Sequence, residues 1–82
     1  MAKINAAFLG DIFEQETPTG LVNGSNTSYS LSGTPHSDKS VMLFIDGVIQ
    51  KQGTAYTISA STITMTTAPA NGQDIYAMYV KR

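Results

Sequence analysis

The decapeptide "VMLFIDGVIQ", residues 41–50, sets the strongest limit on the fold of this chain. Asp46-Gly47 stands between two apolar, strand-prone runs, and Asx-Gly is the dipeptide that a two-residue type I′ turn requires, because both central residues take positive φ. The chain therefore reverses within two residues, with Ile45 facing Val48 and Phe44 facing Ile49. A helix has no use for glycine in that place. The same chemistry recurs at Asn23-Gly24 and Asn71-Gly72, where type I′ turns are again expected.

A second hairpin follows from facing alone in "AYTISASTITMTT". With Ala60-Ser61 as the loop, Ser59 pairs with Thr62, Ile58 with Ile63 and Tyr56 with Met65, which gathers the large side chains on one face. Thr57, Thr64 and Thr66 take the other face. Strands are expected near residues 28–32, 41–45, 48–52, 55–59, 62–66 and 74–80, with a weaker one near 20–23. Six to seven short strands between turn signals define an all-β chain, a small antiparallel β-sandwich (Ig-like) or a small barrel. The Ser-, Thr- and Asn-rich stretch at 16–35 laces into this sheet rather than linking two domains, since it carries Leu21, Val22, Tyr29 and Leu31 among its turn formers.

Upstream, "KINAAFLGDIFEQ" places Ile4, Phe8 and Ile12 at spacing four, interrupted by Gly10, which suits either a short helix or an extended arm. Thr17-Pro18 disfavours a helix running onward. The expected organisation is an N-terminal docking arm over residues 1–16 and a β-sandwich domain over residues 17–82.

Two strands are apolar on both sides. In "VMLFI", Val41, Leu43 and Ile45 oppose Met42 and Phe44; in "IYAMYV", Ile75, Ala77 and Tyr79 oppose Tyr76, Met78 and Val80. A single small sandwich covers one face of each strand, so the second face calls for cover by the N-terminal segment or by another subunit. The candidate interface residues are Phe8, Ile12, Phe13, Met42, Phe44, Tyr76 and Met78. Covering three or four such side chains contributes about 1.5–3 kcal/mol each, comparable to the whole net stability of a small domain.

With 82 residues the chain is expected to be one whole, single-domain product, and a core this small is commonly supported by oligomerisation. It has no cysteine to supply a disulfide or a zinc ligand, and one histidine makes no metal site alone. Five Lys or Arg against six Asp or Glu, scattered along the chain, argue against nucleic acid as a partner. "MAKINAAFLGDIF" lacks the apolar run of a signal peptide, and no stretch is long enough for a transmembrane helix, so assembly in a cytoplasm without membrane attachment is expected.

Catalytic inventories fail as well. His36, Ser37 and Asp38 are neighbours in sequence, which is a triad in letters only. Glu14 and Glu16 read as a solvated end rather than a glycosidase pair. Asp11, Asp38, Asp46 and Asp74 are spread too widely for a calcium loop, and no glycine-rich phosphate loop occurs, so no cofactor or metal is expected. Asn23 and Asn26 begin glycosylation triplets but read as turn residues. Tyr29, Tyr56, Tyr76 and Tyr79 suggest a sugar-stacking platform, against a core role that alternation gives Tyr56.

The order "TPTGLVNGSNTSYSLSGTP", "SVMLFIDGVIQKQGTAYTIS", "TITMTTAPANGQDIYAMY" resembles a small β domain that recurs in structural proteins of tailed bacteriophages. The likeness covers residues 17–79 and leaves the N-terminal stretch outside. It implies a non-enzymatic virion component, assembled in the host cytoplasm: a tail, connector, head-fibre or capsid-decoration module. Its partners would be itself, as a ring or trimer, and other virion proteins. The rival expectation is an adhesin module that binds host carbohydrate.

Overall fold

The computed structural model describes residues 13–82, which form seven strands and one 3-10 turn. In chain order the strands are β1 (Phe13–Glu16), β2 (Ser28–Ser30), β3 (Met42–Ile45), β4 (Val48–Gln50), β5 (Tyr56–Ser59), β6 (Thr62–Met65) and β7 (Ile75–Val80), and the 3-10 turn spans Asp38–Ser40. They make two antiparallel sheets, one ordered β1-β7-β3-β4 and the other β2-β6-β5. Of the two expected architectures the chain adopts the sandwich, in which each sheet gives one face to a shared core.

Alternation explains that core. Leu43, Ile75, Ala77 and Tyr79 come inward from the four-stranded sheet, and Tyr29, Tyr56, Ile63 and Met65 from the three-stranded one, every one buried. Three tyrosines this deep need partners for their hydroxyls. The Tyr29 hydroxyl donates to the Leu21 carbonyl at 2.9 Å, Tyr56 to the Val41 carbonyl at 3.4 Å, and Tyr79 to the Glu16 carboxylate.

Both hairpins have the expected register. Ile45 opposes Val48 and Phe44 opposes Ile49, with Asp46 (φ 52°) and Gly47 (φ 81°) both left-handed, as type I′ demands. Ser59 opposes Thr62, Ile58 opposes Ile63 and Tyr56 opposes Met65. The expectation of type I′ turns at Asn23-Gly24 and Asn71-Gly72 is corrected. Only the glycines there have positive φ, 84° and 91°. At the second site the Gln73 N–H donates to the Ala70 carbonyl at 3.0 Å, which puts Gly72 at the third position of a type II turn. At the first, the Asn23 side-chain oxygen accepts from the N–H groups of Ser25 and Asn26, both at 2.9 Å, so asparagine chemistry rather than backbone handedness shapes the loop.

The lacing of residues 16–35 is visible in its bonds. Thr19 and Ser30 exchange backbone hydrogen bonds at 2.8 and 2.9 Å, and the Asn26 amide donates to the carbonyls of Leu21 and Ser28. Gly20 passes so close to Tyr29 that a Cβ there would lie 2.5 Å from the ring. No strand forms at 20–23; Val22 packs on the core from a loop.

One strand differs from the expected boundary. Residues 13–16, grouped with the arm by sequence, form β1 on the free edge of β7, with Phe13 opposite Val80 and Glu16 opposite Ala77. The domain thus begins at Phe13 or earlier instead of at Thr17. The helix-or-arm alternative for residues 1–12 lies outside the described residues.

Candidate functional site

The strand register assembles the outer face of the four-stranded sheet row by row. Phe13 lies beside Val80; Gln15, Met78 and Met42 form the next row; Tyr76, Phe44 and Ile49 form the third. The face is continuous from β1 across to β4. It carries no charged side chain in these rows, and its one internal polar contact is the Tyr76 hydroxyl donating to Gln15 Oε1 at 3.1 Å. Ile49, Phe13 and Met42 are 57%, 39% and 38% exposed, while Phe44, Tyr76, Met78 and Val80 are half-buried against one another.

Five of the candidate interface residues, Phe13, Met42, Phe44, Tyr76 and Met78, therefore stand together on one surface. Phe8 and Ile12 lie outside the described residues. Ile49 and Val80 belong to the same surface and were not among the candidates. The pairing of Phe44 with Ile49 across the Asp46-Gly47 turn was the signal that could have added Ile49.

The opposite outer face is of another kind. On the three-stranded sheet the cross-strand rows are Ser28–Thr64–Thr57 and Ser30–Thr62–Ser59, all exposed hydroxyls. One side of the sandwich is apolar and the other is a hydroxyl array.

β1 is anchored beneath the apolar face by Glu16, whose side chain turns inward. Its carboxylate accepts from the Tyr79 hydroxyl and from both the N–H and the hydroxyl of Ser32, each at 3.0 Å, while the Gly33 N–H donates to the Tyr79 oxygen at 3.1 Å. Sequence had read Glu16 as solvated; it is instead a strap between β1, β7 and the loop after β2. Burial first, and the Glu16 carboxylate second, push the Tyr79 hydroxyl above its ordinary pKa; burial alone does the same to Tyr56.

The remaining candidates have structural occupations. Ser37 Oγ accepts from the Lys39 N–H and caps the 3-10 turn, leaving His36 exposed beside it. A cleft of about 500 Å³ opens at the Asp46-Gly47 end, floored by Ile45, Val48 and Met65. Its rim is engaged internally: Asp46 accepts from the Asp74 N–H and the Gln73 amide, and Thr66 donates to the Thr54 carbonyl. Among the described residues no group of acidic, histidine or cysteine side chains could hold a metal, and no helix is long and apolar enough to cross a membrane. Comparison of the chain with models of protein families, with curated proteins and with solved structures found no match.

Proposed function

We propose that this protein is a non-enzymatic assembly module of a bacteriophage virion, acting through protein–protein contacts made by the outer face of its four-stranded sheet. The observation that carries the reading is the uncharged apolar surface built from Phe13, Met42, Phe44, Ile49, Tyr76, Met78 and Val80. Contiguous exposed apolar surface is costly in water, and in monomeric proteins it marks a contact site. The virion setting rests on the likeness of residues 17–79 to the tailed-phage β domain, and it encompasses tail, connector, head-fibre and capsid-decoration roles, with copies of the chain and other virion proteins as partners. The carbohydrate alternative loses most of its stacking platform, because Tyr29, Tyr56 and Tyr79 are buried and only Tyr76 keeps a partly open ring, within the apolar face.

The test is sedimentation of the wild-type chain beside Phe44→Asp and Ile49→Asp, with thermal melting of each. A carboxylate on this face is expected to weaken association by about 100-fold or more while cooperative melting persists. Ile49 is the safer probe of the two because it is the more exposed. If the Ile49→Asp chain associates as strongly as the wild type, the face is not the contact surface.

A further inference from the structure

The apolar face has a margin at Phe13, the first described residue. Phe13 opens β1 with its side chain in the first row of the face, opposite Val80, so the first described residue stands at that edge. The direction of β1 matters. β1 runs antiparallel to β7, and Phe13 pairs with the last residue of β7, so β1 begins at the Val80 end and its backward direction points away from Tyr76, Phe44 and Ile49. Those residues lie four positions back along β7, about 14 Å at the usual rise per residue. To cover its own face the segment before Phe13 would have to reverse and return across that distance, whereas a neighbouring molecule would meet it without a reversal.

The preceding sequence suits such a surface. In "INAAFLGDI", residues 4–12, Ile4, Phe8 and Ile12 fall on one side whether the backbone is helical or extended, since a spacing of four satisfies both periods. Asp11 is the single charge in this stretch, and the receiving rows carry none. Length is sufficient too: nine residues reach at most about 30 Å, and four strands are about 14 Å across. Two copies packed face to face would cover the sheet but give Ile4, Phe8 and Ile12 no share in the contact. Seating one copy's segment on the other's sheet buries both surfaces together.

We infer that the occupant of the apolar face is residues 4–12 of a second copy of this chain. The inference rests on the assembly reading and names its partner. Full-length chains test it by complementation. An arm variant carries Phe8→Ser and Ile12→Ser; a face variant carries Met42→Ser and Ile49→Ser, both at exposed positions so that folding is spared, with melting as the check. Each alone is expected to lose self-association by about 100-fold or more, and a mixture of the two is expected to form a one-to-one heterodimer, because the face of the first can still receive the arm of the second. An arm variant that oligomerises like the wild type, beside a face variant that does not, overturns the inference and leaves the assembly reading standing. A mixture that stays monomeric also overturns it. Where both variants keep the wild-type oligomer, the assembly reading itself fails. A wild-type chain that is monomeric at every concentration overturns the inference and leaves the assembly reading only its contacts with other virion proteins.

Discussion

Ala60 holds a backbone conformation that suits it poorly. Its φ of 54° lies in the left-handed region, where a Cβ costs about 1–2 kcal/mol, and the two-residue loop between β5 and β6 leaves it no alternative. The register there is dictated by the burial of Tyr56, Ile63 and Met65, so the loop residue accepts the strain that the strands impose. Ala60→Gly is therefore expected to stabilise the chain by about 0.5–1 kcal/mol, a gain trimmed by the greater freedom of glycine when unfolded. An unchanged or lower denaturation midpoint would mean that the strain is absorbed elsewhere. The buried tyrosines make a second statement at this scale. Folding raises the pKa of Tyr56 and Tyr79 above the ordinary 10.0, so the native state holds those protons more tightly than the unfolded chain does. Their contribution is complete below pH 10 and is lost as pH climbs through the raised values. Urea midpoints measured from neutral pH upward should stay level on this account until about pH 10 and then fall. Tyr79→Phe should flatten part of that fall.

The elements divide by how local their causes are. β3, β4, β5 and β6 were legible in the sequence because each hairpin is closed by a two-residue loop and its facing follows from neighbours a few positions apart. β1 was not legible. "FEQE" places Phe13 and Gln15 outward and both glutamates inward, the reverse of ordinary patterning, and it becomes a strand only because β7 presents an open edge more than sixty residues later in the chain. The doubly apolar runs of β3 and β7 announced the candidate site, and the same alternation in β7 and the facing of Phe44 and Ile49 across the turn already carried the signal for Val80 and Ile49. Truncation separates what β1 does from what precedes it. At concentrations too low for the full chain to associate, a chain starting at Phe13 is expected to melt within about 2 °C of it. Starting at Glu16 removes most of the ladder with β7 and the Glu14–Lys81 ion pair (3.6 Å), and a loss of about 1 kcal/mol corresponds to 4–8 °C in a domain of this size. Equal melting of the two truncated chains would show that β1 adds nothing to the sandwich.

At the scale of the whole molecule, the contact surface and the charges are kept apart. The proposed association through Phe13, Met42, Phe44, Ile49, Tyr76, Met78 and Val80 would rely on removing apolar area from water, which added salt does not screen. An oligomer held by this face is therefore expected to persist, or tighten, between low ionic strength and about 1 M salt, as sedimentation at fixed protein concentration would report. Dissociation by salt alone would point to ion pairs as the adhesive.

The rows Ser28–Thr64–Thr57 and Ser30–Thr62–Ser59 have a consequence for whatever the molecule builds. A hydroxyl both donates and accepts, carries no charge, and titrates nowhere in the range where proteins stay folded. Were its other side seated on a partner, as proposed, the sandwich would turn outward a wettable tile whose two rows carry no charge. An exterior paved with such tiles would hold the same layer of water in acid, in brine and among divalent cations, which makes it a surface suited to passing unstuck through a crowded and chemically changeable medium.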